Sequence, residues 1–240
     1  MQFVVGTKVE FAEASSTWIL SRELDHKMPC VAFLPDFGTV KEALEEQFVF
    51  LCDRDGSAPK EWAVIKITTL TLAPGPQESS GKFEEVRKFV GGTILKEIKA
   101  LAGLAKSGCK SAPKLITQKQ SPEENLHIWF ILMTQCPGVP LGEGPGARVR
   151  VDPFWDKNRD NIRKAFKEDL DCVRCGWLQT DPGRQNLLWD RNQNKCWFVD
   201  WDAAVDLSKS KGDIKWSDVE YFRWGLVRGG DENHPAGWEW

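Results

Sequence analysis

The chain has little tyrosine and histidine and no long apolar run. Its 240 residues include one Tyr and three His. The histidines lack metal-ligand spacing, so a histidine-based metal site is not predicted. No apolar run approaches the roughly 18–20 residues that a membrane-spanning helix needs, and Met1–Leu20 lacks the basic start and apolar core of a signal peptide. These absences predict a cytoplasmic protein with no membrane partner.

Charge and cysteine usage narrow the range of functions further. The formal net charge is -3 and the sequence pI is near 5.8, so no basic excess suggests general nucleic-acid binding. The seven cysteines are scattered, and the lone CxxC motif of Cys172 and Cys175 has no second pair to complete a zinc site. We therefore expect reduced structural thiols. Tryptophan is abundant, with twelve residues, and we expect these side chains to pack a core or line a cleft.

Apolar patterning predicts a strand-rich first half and a helical second half. Strands are predicted at 28–35, 47–53, 62–68, 113–118 and 126–135, and helices at 82–106, 161–177 and 216–227. Gly91–Gly92 should break or kink the first helix because glycine is a poor helix former. The change of character at "TQCPGVPL" predicts two lobes, 1–134 and 135–240, with a cleft between them.

The segment from Leu178 to Asp202 carries oxygen-bearing side chains around a predicted hairpin. Its apolar runs "LLW" and "CWFV" are typical of short buried strands, and "DRNQNK" between them is typical of a turn, with Asp190 expected to be exposed. Asp181 and Asn186 precede the first strand, and Asp200 follows the second. Pairing of the two strands would bring these three side chains to one end of the hairpin. We therefore predict a functional site there.

The order of elements and these motifs resemble the protein-kinase-like fold, especially its aminoglycoside-phosphotransferase-like branch and related fungal kinase-like proteins. The resemblance extends from about Val31 to about Leu226. It implies an α+β, bilobal protein-kinase-like fold, with a strand-rich N-lobe that holds one long helix and a shortened helical C-lobe. "ILMTQCPGVPL" looks like the hinge of this branch, which makes Gln135 and Cys136 candidate cofactor contacts.

Three further motifs match the family. Its catalytic loop carries an Asp followed five residues later by an Asn, which match Asp181 and Asn186 in "TDPGRQNLLWD". A second Asp after a short strand matches Asp200 in "CWFVDWD". The strand lysine of the "VAIK" motif matches Lys66 in "AVIKI", and its helix partner matches Glu97 in "LKEIKAL".

Two other glutamates, Glu84 and Glu85, are weaker matches for the partner of Lys66. They lie at the start of the same predicted helix, in "KFEEVRKFV". The resemblance alone leaves these alternatives open.

The resemblance implies an ATP- and magnesium-dependent phosphotransferase that acts on a small-molecule acceptor. Lys66 would pair with the nucleotide phosphates, and Glu97 would orient Lys66. Asn186 and Asp200 would supply the hard oxygen ligands that Mg2+ prefers. Asp181 would position the acceptor and accept its proton.

Three departures from the family pattern favour alternative functions. Gln179 stands where active members commonly have His, "DFGTVKEA" (36–43) has only Gly38 in place of a glycine-rich loop, and "DWD" puts Trp201 and Asp202 in place of Phe-Gly. We expect Trp201 to be a packing residue and Asp202 a cap or turn residue. These features, with the short C-lobe, would suit a repurposed fold that makes a peptide bond from aminoacyl-tRNA. Such a function resembles that of the arginine-containing cyclodipeptide synthases of fungal secondary metabolism and would need no ATP or Mg2+. A pseudokinase binding module is a further alternative.

Overall fold

A computed structural model describes residues 3–34, 38–72, 80–122, 126–142, 153–174, 176–208, 216–227, 229 and 231–238. These residues form eleven strands and three α-helices. The strands are β1 Lys8–Phe11, β2 Ser16–Leu34, β3 Gly38–Arg54, β4 Trp62–Leu72, β5 Leu115–Pro122, β6 Leu126–Thr134, β7 Val139–Pro140, β8 Trp177–Gln179, β9 Leu187–Asp190, β10 Lys195–Phe198 and β11 Ala204–Asp206. The helices are α1 Ser80–Lys106, α2 Pro153–Val173 and α3 Val219–Arg223.

The chain divides into two compact units. The first comprises Met1–Ile98 and Lys114–Gln135, and the second comprises Lys99–Pro113 and Cys136–Trp240. Within the described ranges, no helix has both the length and the apolar character that crossing a membrane requires.

The first unit is built on a six-stranded antiparallel sheet in the order β1-β2-β3-β4-β6-β5. Its edge strands β1 and β5 contact each other, and Lys119 Nζ on β5 donates a hydrogen bond to the carbonyl oxygen of Glu10 on β1 at 2.6 Å. The sheet is therefore nearly closed into a barrel. Apolar side chains fill it: Phe3, Val9, Phe11, Trp18, Leu20, Phe48, Phe50, Cys52, Ala63, Ile65, Ile67, Ile128, Phe130 and Leu132.

Strand β4 shows how the sequence gives the sheet two buried faces. Ala63, Ile65 and Ile67 alternate along the strand and belong to the barrel core, as the two-residue period of a strand requires. The opposite face of the strand includes Lys66 and Thr68, which are also buried. Because this strand is covered on both faces, a polar side chain on its second face, such as Lys66, needs a hydrogen-bond or ion-pair partner.

Helix α1 is continuous, so the predicted break at Gly91–Gly92 is wrong. A Cβ atom at Gly91 would lie 3.6 Å from the ring of Trp129 on β6, an ordinary van der Waals distance, so the helix lies close against the sheet here. Each glycine costs a helix about 1 kcal/mol. Packing of buried side chains such as Val90 and Ile94 offsets that cost.

The second unit combines short strands with α2 and α3. Its strands form two small antiparallel sheets, β10-β9-β7 and β11-β8. Helix α2 packs on β10. Asp169 of α2 accepts hydrogen bonds from Ser111 Oγ at 2.5 Å and from the backbone nitrogen of Cys196 at 2.8 Å. The α2 carboxylate thus fixes the hairpin that carries the candidate site.

The prediction of a bilobal protein-kinase-like fold is wrong. The structure is a strand-rich α+β protein whose main feature is the nearly closed, six-stranded antiparallel sheet. The sequence-based prediction missed β1 and the first half of β2, because the mostly charged and exposed segment 22–27 hides the apolar alternation that marks a strand. It also read 36–43 as a loop, whereas Gly38 begins β3 and Asp36 lies outside the described residues.

The predicted helical C-lobe is also wrong. Five strands, β7 to β11, lie in the second unit. The helix expected over 216–227 is reduced to α3. Gly225 has a φ of 66°, a left-handed conformation that is common just after a helix end. Short strands of three or four residues leave too little apolar period to be distinguished from loops in sequence.

Candidate functional site

Asp181 and Asn186 are joined by hydrogen bonds. Asp181 is exposed and follows β8, and Asn186 is buried at the end of the single turn Arg184–Asn186. Asn186 Nδ2 donates to the Asp181 carbonyl oxygen at 2.9 Å and lies 3.4 Å from Asp181 Oδ2. Both partners are acceptors, so the amide nitrogen faces Asp181 and Asn186 Oδ1 is directed away from it. The side chain of Asn186 therefore holds the Asp181 loop.

Asp200 has a strained backbone next to this loop. It follows β10 with a φ of 60°, in the left-handed region that most side chains disfavour by roughly 1–2 kcal/mol and that Asp enters more readily than most. The preceding nitrogen, Val199 N, donates to the Asn186 carbonyl oxygen at 3.0 Å. The β9–β10 register pairs Leu187 with Phe198, so the structure brings Asp181, Asn186 and Asp200 to the same end of one hairpin.

Gln179 on β8 holds the backbone at Asp200 through hydrogen bonds. Its side chain is buried, and Nε2 donates to the carbonyl oxygens of Val199 at 2.8 Å and Asp200 at 2.6 Å. Two carbonyl acceptors can be met only by the NH2 end of the amide, so this orientation is chemically determined. Sequence reasoning treated Gln179 as a departure from a family pattern and missed this positioning contact. A polar residue in a short apolar strand was the available signal.

Trp201, Asp202 and Asp190 are sequence neighbours of this cluster. Trp201 is almost fully buried and donates from Nε1 to the Phe198 carbonyl oxygen at 2.9 Å, which confirms the packing role. Asp202 lies in the turn that follows, as expected. The expectation that Asp190 is exposed is wrong, because its Oδ1 accepts the backbone N–H of Asn192 at 2.9 Å and the side chain folds back into the turn.

The side-chain oxygen atoms of Asn186 and Asp200 are of the chemical type that the predicted metal, Mg2+, requires. Among the residues that the structure describes, no group of three or more His, Cys, Asp or Glu side chains is placed to hold a metal ion. Asn186 Oδ1 is turned away from Asp181, and Asp200 adds a carboxylate one residue beyond the backbone bond to Asn186. Amide and carboxylate oxygens are the donors that Mg2+ prefers.

Lys66 and Glu97 form a buried ion pair within the first unit. Lys66 Nζ on β4 lies 2.9 Å from Glu97 Oε2 on α1, with side-chain exposures of 7% and 3%. The alternatives do not pair with Lys66 in this way: Glu84 bonds to Arg87, three residues along α1, and Glu85 is exposed. The predicted pairing is thus present. The phosphate-binding role of Lys66 stays a prediction.

Gln135 and Cys136 lie at the end of the predicted hinge motif. Gln135 is exposed, whereas Cys136 is buried, and burial raises the pKa of its thiol to about 12. Cys136 is therefore a neutral thiol at ordinary pH. The following Gly138 has a φ of 115°, and a Cβ there would lie 2.6 Å from the backbone of Trp189, so this turn requires glycine. Cofactor contact by Gln135 and Cys136 stays a prediction.

A cavity of about 220 Å³ lies within the second unit, behind the Asp181 loop. It is lined by Leu170, Arg174, Trp177, Leu178, Gln179, Thr180, Pro182, Phe198, Trp201, Glu220, Arg223 and Trp224. Arg174 Nη2 lies 2.8 Å from Glu220 Oε1, and both side chains are at least nine-tenths buried. Sequence reasoning identified neither residue, because their pairing joins the end of α2 to α3 across 46 positions, the difference between 220 and 174.

No protein-family model matches this chain, and no curated protein sequence matches it. The assignment of a function therefore rests on the geometry of the candidate site.

Proposed function

We propose that the protein is a transferase in which Asp181 positions the acceptor, with ATP- and magnesium-dependent phosphoryl transfer to a small molecule as the favoured reaction. The observation that carries this proposal is the strained backbone of Asp200, held beside Asn186 and thereby beside Asp181. Strained residues persist where the surrounding structure over-determines them, and they cluster at functional sites.

Asp181 has the exposure and the support that a proton acceptor needs. Its carboxylate is open to solvent, and Asn186 holds its loop from the buried side. In the proposed reaction the acceptor hydroxyl gives its proton to Asp181 while its oxygen forms a bond to the γ-phosphorus of ATP. The bond from that phosphorus to the bridging oxygen breaks, and ADP leaves with the electron pair. General-base help of this kind contributes on the order of 100- to 10,000-fold in rate.

Asn186 and Asp200 are the residues that would hold Mg2+. A bound magnesium ion supplies neutralisation of phosphate charge. The hydrogen bonds from Gln179 to the carbonyl oxygens of Val199 and Asp200 fix the backbone that carries that carboxylate before any ligand binds. Preorganisation of this kind is what phosphoryl transfer requires from a protein.

A second candidate function uses the same carboxylate without a metal. Asp181 could deprotonate or orient the attacking amine in peptide-bond formation from aminoacyl-tRNA. The observation that favours this candidate is that Asn186 already fixes Asp181 through direct hydrogen bonds, so its position needs no metal. A pseudokinase-like binding role would leave the strain at Asp200 without a purpose.

The test compares metabolites from cells that express the wild type, Asp181→Asn and the control Asp160→Asn. Asp160 lies on α2 of the same unit with a side chain that is 88% exposed. We expect Asp181→Asn to lower turnover at least about 100-fold at an unchanged melting temperature, and Asp160→Asn to have no effect. A melting-temperature rise with ATP and Mg2+ would support phosphoryl transfer. A product that requires aminoacyl-tRNA would support the second candidate, and equal activity in both variants would remove Asp181 from the site.

A further inference from the structure

The cavity in the second unit combines aromatic walls with buried polar groups. Three tryptophans, Trp177, Trp201 and Trp224, line it together with Phe198. Its volume of about 220 Å³ equals that of roughly seven water molecules at liquid density. Small-molecule sites have this composition, with mostly apolar walls and a few placed polar groups.

Arg174 brings hydrogen-bond donors that the described protein groups do not use. Its side chain is 7% exposed, and Nη2 pairs with Glu220 Oε1 at 2.8 Å. Within the described part of the chain, Arg174 Nε and Nη1 are buried and have no hydrogen-bond partner. Leaving such donors unmet in a protein interior is costly, particularly on a charged group. Arg174 therefore has donors that the described protein groups leave for water or a ligand to meet.

Gln179 is a second residue of the cavity lining with an unmet polar atom. Its Nε2 is committed to the Val199 and Asp200 carbonyl oxygens, so the orientation of the amide is fixed. Its Oε1 is buried and has no partner among the described residues. A ligand that satisfies both Arg174 and Gln179 must therefore present an acceptor and a donor.

We propose that this cavity is a binding site for a small carboxylate that also carries an O–H or N–H donor on an apolar or aromatic body. The carboxylate meets the free N–H groups of Arg174, the donor meets Gln179 Oε1, and the body packs among the tryptophans. The proposal extends beyond the transfer reaction, because binding here requires no chemistry at Asp181.

The way the charges around the cavity are paired favours an anion. Arg174 and Arg223 line it with Glu220, and Arg223 is also paired with Glu232, so among the described residues Arg174 is the arginine whose donors are left unmet. Glu220 is shared, since Arg223 Nη1 also lies 3.4 Å from its Oε1. A cationic ligand would have to compete with two arginines for one carboxylate, whereas an anion meets donors that are free.

Ligand binding would also affect Asp200, the strained residue of the candidate site, through its contact with Gln179. Gln179 contacts the backbone of Asp200 with one end of its amide and lines the cavity with its side chain. Thr180 and Pro182, which flank Asp181, line the cavity as well. A ligand that orders Gln179 would thus stiffen both loops of the site.

The test is titration of the full-length protein with mandelate, salicylate and leucine, followed by tryptophan fluorescence and calorimetry. Methyl mandelate serves as the uncharged comparator. We expect saturable binding of at least one acid, with the ester weaker by roughly 10-fold or more. Arg174→Lys keeps a cation for Glu220 and loses the spare donors, so it should weaken binding by roughly 10- to 100-fold. The exposed Arg159→Lys on α2 is the matched control.

A second variant guards against a folding defect in the first. Leu170→Phe reduces the cavity from its apolar side and leaves both polar groups in place, so it should also abolish binding while the melting temperature of the protein is retained. The proposal is overturned if none of the three acids binds saturably up to the millimolar range. It is also overturned if the ester binds as tightly as its acid, or if folded Arg174→Lys and Leu170→Phe both bind like the wild type.

Discussion

Each unit of the protein has a buried ion pair, and the two pairs differ in what surrounds them. In the first unit, Lys66 and Glu97 lie 2.9 Å apart between a strand and a helix, with side-chain exposures of 7% and 3%. In the second unit, Arg174 and Glu220 lie 2.8 Å apart beside a cavity. Arg174 keeps two nitrogens without a partner among the described residues.

The difference indicates which unit is organised for binding. A buried pair that spans a packed strand and helix has a structural consequence even without a ligand, since removal of one partner leaves a buried charge. A pair that lines a cavity and leaves donors unmet is incomplete without a further group. The second unit also holds the strain at Asp200. Among the described residues, the second unit thus combines the strained Asp200 with a cavity whose lining has unmet polar atoms.

Removal of Lys66 should give the largest loss of stability. Lys66→Met leaves the Glu97 carboxylate buried, and we expect the free energy of unfolding to fall by about 3–5 kcal/mol in urea titrations. Lys8→Met is the control, because Lys8 pairs with Asp55 at the surface with a side chain that is 58% exposed. Its loss should stay below about 1 kcal/mol. Equal losses in the two variants would contradict a structural role for the buried pair.

Removal of Arg174 should destabilise the protein less than removal of Lys66. Glu220 retains Arg223 at 3.4 Å, and water can reach a group beside a cavity. Arg174→Met should therefore lower the free energy of unfolding by about 1–3 kcal/mol. The same urea titration measures it. A loss as large as that of Lys66→Met would mean that the two pairs are equally structural, and the comparison would fail.

Relief of the strain at Asp200 should separate stability from activity. Glycine adopts positive φ without steric cost but adds chain entropy to the unfolded state, so Asp200→Gly should change the free energy of unfolding by no more than about 1 kcal/mol. Transfer activity should be lost together with the carboxylate. Asn194→Gly is the matched control, since Asn194 has a φ of 47° in the adjoining β9–β10 turn, and it should gain stability with full activity. A large loss of stability in Asp200→Gly would assign this residue to the fold instead.

Substitution of buried thiols should have the smallest effect on the free energy of unfolding, and the effect should be similar in the two units. Burial raises the pKa of Cys52 in the first unit and of Cys136 in the second from 9.0 to about 12. As the pH rises above about 9, each thiol ionises in the unfolded chain but stays neutral in the folded protein. Its contribution to the free energy of unfolding is therefore present below that pH and is progressively lost above it. Unfolding free energies measured across this range should fall less steeply in Cys52→Ala and Cys136→Ala. Slopes identical to the wild type would contradict the raised pKa values.

Several local features could be predicted from the sequence because they depend on near neighbours. The hairpin that carries Asp181, Asn186 and Asp200 follows from two apolar runs and a turn between them. Strand β4 and helix α1 follow from their periods, and the pairing of Lys66 with Glu97 follows from a motif match. The hairpin, β4 and α1 each carry enough apolar contrast along consecutive residues to specify the element, whereas the pairing of the distant Lys66 and Glu97 came from the resemblance alone.

The tertiary structure decided how these elements combine. Near-closure of the barrel depends on contact between β1 and β5. The four residues of β1 are too few for their pattern to predict a strand. The cavity depends on α2, β8 and α3, which bring together Arg174, Gln179 and Glu220 from separate segments. Sequence patterns report which face of an element is apolar, whereas burial of a charge and the absence of its partner depend on every element packed around it.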